Sequence, residues 1–551
     1  MKYRIQKFTS RQKDKVYEYT WLGYSYRNEK GKPTFKCVAN LSGLPAEVIA
    51  SMSATLEGDS SATGRTGKTQ FLSAMPIGAE AVCRKFAEEL GIVEALNSCL
   101  PAKNAGIACA LVIDRIVSSL PHSRKGLFEN YAGTGLARVC GLDSGKLKLQ
   151  DMYYTLDKLQ PCQDEIEKYL FVRNHPAKAR LFFYDITSTY FEGDSCILEA
   201  FGYNRDRKQG KKQIVIGMLT DSDGLPLSVE VFAGNTPDQT TVMAKIESIR
   251  KKFGVEEIVF VGDRGMVTKS RRRDLSAGEY ERIKYITALT HEEFNAFLED
   301  DAHPLQPELF DRHNVVEVEH EGVKYSLSFN PEMEERNRAT RDRLLAKTEE
   351  ALAGIARSVG AGRLKNEQKI ARRLFGVIDR WHCAKFFTFA YSEGHFEYAR
   401  NETKIAEYEN LDGFYVFTSD VLDFSAEQIR DEYRKLQKVE QTFRTMKTAD
   451  LFIRPVRLWN EKRVRAHVFI CMLAYMVIWK ARHVFEGFIR PEDELRQSLR
   501  NVWEELSDIQ IATMELGEVK TEQLGRPDGR CRELLKCAGM TLTYLEGKYV
   551  R

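Results

Sequence analysis

Two aspartates stand where acidic residues are unusual, and carboxylates in such places can bind metal ions. Asp185 interrupts the apolar run LFFYDITSTYF, and Asp263 follows the apolar run EIVFVG directly. Strands are poor in acidic residues, so both placements need an explanation. The ends of strands in α/β sheets often carry functional side chains, which favours a site. A turn-capping aspartate is the alternative at each position.

Glu440 lies in a helical stripe that is otherwise mostly apolar. Ser425 followed by Gln428 has the spacing of a capping box, and it predicts a single helix from about Ser425 to Ala449. We expect Glu440 to face the core, where a carboxylate needs a cation, a proton or a metal ion. A salt bridge, or a helix rotation that leaves Glu440 at the edge of the stripe, is the alternative. The stripe comprises Ile429, Tyr433, Leu436, Glu440, Phe443 and Lys447, at steps of four and three.

Three carboxylates on two strands and one helix suit two divalent cations. Such ions, about 3.5–4 Å apart, activate an attacking oxygen and stabilise the leaving oxygen of a phosphodiester. Hard cations prefer carboxylates to thiolates or imidazoles. The eleven cysteines are scattered and form no CxxC pair. The sequence therefore argues against a zinc module and a disulfide scaffold, and it indicates a reducing cytosol.

The elements that must position these acids follow in a recognisable order. Aromatic and β-branched segments around NEKGK predict an N-terminal hairpin, and helical periodicity follows it. The region of the aspartates has the pattern strand, hairpin, helix, strand, strand. We predict these regions: 1–60, N-terminal β hairpin; 61–175, helical region; 176–289, first part of the core; 290–420, insertion; 421–485, second part of the core; 486–551, C-terminal region.

Charge and hydropathy limit the functional classes. The 82 basic and 79 acidic residues give a net charge of only +3, so nucleic-acid binding requires local basic clusters. The loop 205–212 and the stretch 454–465 favour DNA contact, with a solvated surface as the alternative; the cluster 269–273 is a third candidate. The apolar run 468–479 is too short for a membrane span and predicts a core helix, so no membrane partner is expected.

Three blocks resemble the active-site blocks of a known family. YDITSTYFEG, GDRGMVT and YRKLQKVEQTFRTMK are similar to those of DDE transposases of the insertion-sequence-4 superfamily, in particular its sixteen-thirty-four-like group. The resemblance covers about residues 175 to 480. It implies an α/β fold with an RNase H-like mixed sheet core and a mostly β insertion. The N-terminal hairpin, the helical region and a small C-terminal α+β region complete this expectation.

The resemblance implies functional roles for the three acids. Asp185, Asp263 and Glu440 would be the first, second and third catalytic acids and would hold two Mg²⁺ (or Mn²⁺) ions per active site. The activity would be cleavage at the ends of a mobile element and strand transfer into target DNA. The partners would be double-stranded terminal repeats, target DNA and a second protomer in a synaptic dimer. The helical region 61–175 would bind the DNA ends, and the C-terminal region 486–551 could join two protomers. The expected location is the cytoplasm of a bacterium or archaeon, at the nucleoid.

A family signature around the glutamate implies DNA contacts. The signature is Tyr, two residues, Arg, three residues, Glu, six residues, Lys; Tyr433, Glu440 and Lys447 match it, and Leu436 replaces the Arg. An aromatic residue of the insertion could also stack on a base, at about 1–3 kcal/mol, although a core role is the alternative for Trp381. The candidate DNA-binding residues are Tyr433 and Lys447, then Arg434, Lys438 and Arg444 as substitutes for the missing Arg, and Arg264, Lys212 and Trp381.

Two other functional classes remain open at this point. A nuclease of the same fold would hydrolyse DNA with the same carboxylates and never join strands. A non-catalytic DNA-binding protein could derive from a transposase, but the intact acidic set argues against it. The sequence does not separate the transposase from the nuclease.

Overall fold

The computed structural model divides the chain into two compact units. Unit 1 comprises Met1–Phe260 and Lys435–Arg551, and unit 2 comprises Val261–Arg434. The residues that the structure describes are 3–12, 15–27, 32–57, 69–118, 122–175, 180–192, 195–202, 210–236, 242–276, 282–298, 303–304, 311–447, 451, 453, 456–488, 495–516 and 519–550.

Unit 1 begins with a three-stranded antiparallel sheet. The predicted hairpin is present as the second and third strands, but a first strand that the sequence analysis missed pairs with the second along its full length. The alternation of Tyr3 and Ile5 with charged neighbours makes this first strand weakly apolar. The elements are β1 (Tyr3–Gln12), β2 (Lys15–Arg27), β3 (Pro33–Asn40), α1 (Ala46–Glu57) and β4 (Thr69–Pro76).

The next part of unit 1 is helical, which confirms the helical pattern predicted there. Helix α4 is buried along most of its length and packs against α2, α3 and α7. The elements are α2 (Gly78–Glu89), α3 (Ile92–Cys99), α4 (Ala102–Val117), α5 (Arg124–Asn130), α6 (Leu136–Val139), α7 (Leu149–Leu159) and α8 (Gln163–Asn174).

The region of Asp185 forms a sheet in unit 1 with the strand order β8, β5, β6, β7. Strands β5, β6 and β7 are a continuous antiparallel meander, as predicted. Every residue of β6 is buried, as expected for a central strand that is covered on both faces. The elements are β5 (Leu181–Tyr190), β6 (Gln213–Thr220), β7 (Pro226–Ala233), α9 (Val242–Phe253) and β8 (Ile258–Val261), whose last residue begins unit 2.

Unit 2 is a mixed α/β unit, which corrects the expectation of a mostly β insertion. Helix α12 alone spans 30 residues, as many as the strands β10 to β14 together. The elements are α10 (Lys269–Ser276), β9 (Ile283–Ala288), α11 (His291–Leu298), β10 (Val316–His320), β11 (Val323–Phe329), α12 (Pro331–Gly360), α13 (Glu367–Trp381), β12 (Phe387–Ser392), β13 (His395–Arg400), α14 (Glu402–Asn410), β14 (Phe414–Ser419) and α15 (Ala426–Arg434).

The local sequence explains why α12 is a helix. Asn330 caps its first turn, Pro331 begins it, and Leu345, Leu352 and Val359 recur at heptad spacing on its buried face. This face packs on α13 and the β12–β13 hairpin. The remaining strands of unit 2 form an antiparallel sheet in the order β10, β11, β14, β9.

The last part of unit 1 returns to the helical region and the N-terminal sheet. Helix α17 is the one helix among the described residues that is long and apolar enough to cross a membrane, but 83% of its apolar window is buried inside the protein. It packs against α4 and α7, which confirms the predicted core helix. The elements are α16 (Leu436–Lys447), α17 (Glu461–Val484), α18 (Leu495–Leu506), β15 (Gln510–Leu516), β16 (Val519–Leu524), α19 (Gly529–Cys537) and α20 (Leu542–Tyr549).

The C-terminal region has the predicted α+β character and shares a core with the N-terminal strands. Strand β15 lies between β16 and β4 in an antiparallel sheet. Its Ala512 and Met514 pack in one cluster with Leu22 of β2, Val38 of β3 and Met52 of α1. The two ends of the chain therefore fold as one structure.

Glu80 is a buried carboxyl group in the first turn of α2. Its side chain accepts backbone hydrogen bonds from its own N–H and that of Gly135, but Oε2 has no hydrogen-bond partner. Burial raises the pKa of Glu80 from 4.5 to about 7. Because the pKa is raised in the folded protein, the protonated Glu80 makes its full contribution to the free energy of unfolding below pH 4.5. This contribution is lost as the pH rises from 4.5 to about 7.

We therefore expect Glu80→Gln to flatten the pH dependence of stability. Between pH 4.5 and 8 the free energy of unfolding of the wild type should fall relative to that of Glu80→Gln by about 3 kcal/mol. Urea denaturation at several pH values measures this difference. Glu129→Gln, at a glutamate that is 55% exposed in α5, is the matched control. Parallel pH profiles for the wild type and Glu80→Gln would contradict the prediction.

Candidate active site

Asp185 lies in the middle of β5, as the sequence predicts. It is half-buried, and the backbone N–H of Ile186 donates to its Oδ1 at 2.7 Å. This bond orients the carboxylate. The neighbouring strand leaves room for the ring of Tyr184, since a Cβ at Gly217 would lie 2.0 Å from the Tyr184 hydroxyl. Gly217 is thus sterically required next to Asp185.

The helix predicted from Ser425 to Ala449 is two helices. Its predicted capping box is confirmed, because the Ser425 N–H donates to Gln428 Oε1 at 2.8 Å and the Gln428 N–H donates to Ser425 Oγ at 3.3 Å. The helix breaks at Lys435, where unit 2 ends and unit 1 resumes. The physical reason is that α15 and α16 each bury a face within their own unit, and these faces do not form one stripe.

Glu440 is exposed, which corrects the expectation that it faces the core. The buried face of α16 comprises Val439, Thr442, Phe443, Thr445 and Met446. Glu440 lies about 100° around the helix from Val439, so the rotation considered as the alternative is the one observed. Its carboxylate has no hydrogen-bond or ion-pair partner among the described residues.

The structure brings together the elements that carry Asp185 and Glu440. Helix α16 packs against β5 within unit 1. Lys438 anchors the same helix to the β6–β7 turn, because its Nζ donates to the Ser222 carbonyl at 3.2 Å and pairs with Asp223 at 3.4 Å. Gly224 in this turn has φ +80° and would place a Cβ 3.2 Å from Lys438 Cβ, so glycine permits the close approach.

Asp263 lies in unit 2, two residues after β8. Its carbonyl accepts hydrogen bonds from the N–H groups of Met266, at 2.8 Å, and Val267, at 3.1 Å. The preceding Gly262 donates to Ile286 of β9 at 3.2 Å. The turn thus uses the main chain of Asp263, and its exposed carboxylate has no partner within the described ranges. This arrangement argues against the turn-capping alternative.

The donor chemistry of the three acids fits a hard cation. Each of Asp185, Asp263 and Glu440 supplies carboxylate oxygens, which Mg²⁺ and Mn²⁺ prefer. In the described part of the chain, no three His, Cys, Asp or Glu side chains are grouped closely enough to hold a metal ion, so the structure does not bring Asp185, Asp263 and Glu440 together as a three-ligand set. The eleven cysteines are free thiols, as predicted.

The other residues predicted to contact DNA have varied surroundings. Arg444 is exposed on α16 and Lys447 is half-buried at its end. In unit 2, Arg434 and Arg264 are exposed, and the Tyr433 ring lies 4.8 Å from that of Phe417. No contact with DNA is tested for these residues, so their roles stay predictions.

Like Lys438, two further residues predicted to contact DNA have partners within the protein. Lys212 pairs at 3.3 Å with Glu199, whose side chain is 3% exposed. Trp381 packs on the main core cluster of unit 2, and the Arg380 guanidinium lies 5.5 Å from its ring centre. This position is the one expected for the core alternative, and stacking on a base stays a prediction.

Some residues of the predicted basic clusters form ion pairs within the protein. Arg272 pairs with Glu293, and Arg463 with Asp157 at 2.8 Å. Arg457 is exposed and has no partner among the described residues. Residues 205–209 and 454–455 of the predicted clusters lie outside the described residues.

Comparison with known proteins identifies a matching family and similar solved structures. The profile of the family described as "Transposase DDE domain" matches residues 176–477, which are 302 of the 551 residues. No curated protein matches the chain. Among solved structures, a cryo-EM structure of the piggyBac transposase synaptic complex with hairpin DNA is similar, with a TM-score of 0.36 and 9% sequence identity over 79% of this chain and 83% of that chain.

Proposed function

This chain belongs to the transposase DDE domain family, and we propose that it is the transposase of an insertion sequence, which cuts DNA at the ends of its own element and joins them to a target. One observation supports the active site most directly. Helix α16, which carries the exposed Glu440 with no partner among the described residues, packs against β5, which carries Asp185, and both lie within the matched residues.

The finer classification is also a proposal. We propose an RNase H-like core and membership in the insertion-sequence-4 superfamily, in its sixteen-thirty-four-like group. The antiparallel meander β5–β6–β7, the following α9 and the position of β8 beside β5 support the fold. The three blocks around Asp185, Asp263 and Glu440 support the superfamily.

Asp185, Asp263 and Glu440 would together hold two Mg²⁺ or Mn²⁺ ions. When bound, such ions lower the pKa of water and stabilise negative charge on phosphate oxygens. The protein itself orients one of the three carboxylates and leaves the other two exposed. The Ile186 N–H fixes the Asp185 carboxylate, and the exposure of Glu440 and Asp263 leaves their oxygens available to a substrate complex.

The proposed reaction has two balanced steps. In the first, a water oxygen bonds to phosphorus at the element end and loses a proton, and the bond from phosphorus to the 3′ oxygen breaks. That oxygen takes up a proton, which leaves a 3′-hydroxyl and a 5′-phosphate. In the second, the oxygen of this hydroxyl loses its proton and bonds to a phosphorus of the opposite strand or of target DNA, and the displaced 3′ oxygen takes up a proton. Arg444 and Lys447, on the helix of Glu440, are suited to contact the phosphates.

The proposed partners follow from this reaction. They are double-stranded DNA with terminal inverted repeats, target DNA and a second copy of the chain, because cutting two ends together requires a synaptic pair. The C-terminal region is the proposed contact between copies. The proposed location is the bacterial or archaeal cytoplasm, at the nucleoid.

A strand-transfer assay tests the function. The full-length protein is mixed with Mg²⁺, a duplex carrying the end sequences that flank its gene, and a target plasmid. We expect nicked ends with 3′-hydroxyls and joined products, and we expect EDTA to remove both. Cut ends without joined products would favour the nuclease alternative. Binding without cutting in Mg²⁺ or Mn²⁺ would favour a non-catalytic DNA-binding protein.

A further inference from the structure

The most exposed aromatic side chains of the described residues all belong to unit 1. They are Trp459, at 73% exposure, Phe201, at 66%, and Tyr154, at 52%. Large aromatic rings in water are unfavourable, and a group of them on a surface marks an interaction site. None of the three is used by the proposed active site.

Hydrogen bonds tie the segment just before Trp459 to the end of β5. The Val456 N–H donates to the Tyr190 carbonyl at 3.4 Å, and the Glu192 N–H donates to the Val456 carbonyl at 2.9 Å. The segment before Trp459 is thus tied to the end of β5, from which the chain leads to Phe201. Along this path the Cys196 thiol has a raised pKa, caused first by burial and in part by the charge of Glu461, the first residue of α17.

Tyr154 approaches the start of α17 from the helical region. Arg463, in the first turn of α17, pairs with Asp157 of α7 at 2.8 Å and lies 5.1 Å from the ring centre of Tyr153. Tyr154 is the next residue of α7, and the pKa of Arg463 is raised first by its hydrogen bond to Asp157 and last by the charge of Tyr154. Helix α7 and the segment before α17 therefore both place an exposed aromatic side chain near the first turn of α17.

The charges near these rings favour an anionic ligand. Arg457 and Lys462 flank Trp459, are exposed, and have no side-chain partner in the described ranges. Four described acids of the same segments are paired. Glu192 binds Lys211, Glu199 binds Lys212, Glu461 binds Arg465 and Asp157 binds Arg463. The cations that remain available lie next to the most exposed aromatic ring.

We propose that this surface, defined by Trp459, Tyr154, Arg457 and Lys462, binds DNA by stacking an unpaired base on Trp459. An indole stacks on any base, and flanking cations bind the adjacent phosphates. The inference rests on the proposed function.

The test uses the full-length protein and a short duplex with one unpaired 2-aminopurine, whose fluorescence is quenched by stacking. We expect the wild type to quench it. Trp459→Ala should remove most of the quenching and weaken binding about ten-fold, and Trp459→Phe should retain part of both. Arg457→Gln and Lys462→Gln should each reduce the slope of log affinity against log salt by about one, whereas Trp459→Ala should not change the slope.

Control measurements separate this inference from the proposed function. Tyr544→Ala, at an aromatic that is 42% exposed in α20, should leave quenching unchanged, and circular dichroism should verify folding of each variant. If the wild type cuts element ends but Trp459→Ala quenches and binds normally, the stacking inference is overturned and the proposed function stands. The stacking inference is also overturned if Trp459→Ala only dissociates a dimer in sedimentation experiments. If the wild type neither binds nor cuts DNA, the proposed function has failed.

Discussion

Asp185→Asn is expected to lower the rate of Mg²⁺-dependent cleavage and joining roughly a thousand-fold or more. The substitution keeps the shape of the side chain and its acceptor for the Ile186 N–H, but it removes the negative charge that a divalent cation requires. Several kcal/mol of transition-state stabilisation would be lost with that charge. Single-turnover cleavage of end DNA measures the rate.

Glu440→Gln is expected to have the same effect on rate and little effect on stability. Because Glu440 is exposed and has no protein partner among the described residues, the free energy of unfolding should change by less than about 0.5 kcal/mol. Glu504→Gln, at a glutamate that is 65% exposed on α18, controls for loss of a surface charge and should leave the rate unchanged. Full cleavage and joining by either the Asp185 or the Glu440 variant would show that the site is wrongly assigned.

Arg341→Met is expected to destabilise unit 2 by about 3–5 kcal/mol. Arg341 of α12 and Asp412, which precedes β14, are 7% and 8% exposed, and one guanidinium nitrogen donates to both carboxylate oxygens at 2.8 and 2.7 Å. Removal of the arginine leaves a buried carboxylate without this partner. Urea denaturation followed by Trp381, the one tryptophan in the sequence of unit 2, measures the change.

Two variants test the cause of this destabilisation. Arg338→Met removes an arginine of the same helix that is 60% exposed and should change stability by less than about 0.5 kcal/mol. Adding Asp412→Asn to Arg341→Met should recover a large part of the loss, because the unpaired buried charge is then absent. Equal losses in the single and double variants would contradict the explanation.

The helix of Glu440 illustrates how far the sequence alone leads. Its spacing predicts helical structure at Glu440 and correctly locates the capping box at Ser425. It does not predict the break at Lys435, because residues on both sides are compatible with helix. The break depends on α15 packing in unit 2 and α16 in unit 1.

Strong local patterns determined several elements of this protein without tertiary information. The apolar run around Asp185 is β5, and the predicted hairpin after it is β6–β7. The apolar segment 468–479 lies in the buried helix α17. In each case many consecutive residues agree on one periodicity. The unusual placement of Asp185 in a strand is visible for the same reason.

Tertiary packing decided what these patterns left open. The stripe of Glu440 has a definite period, but the side of the helix that is buried depends on which element covers it, and the contact with β5 turns Glu440 to solvent. Strand β4 pairs with β15 across more than four hundred residues of sequence, which no local pattern can report. The exposure of Trp459 likewise depends on which residues surround it in the folded chain. The sequence thus determined the three acids and the kind of element that carries each. The fold decided that Glu440 and Asp263 are exposed, because burial depends on contacts between distant segments.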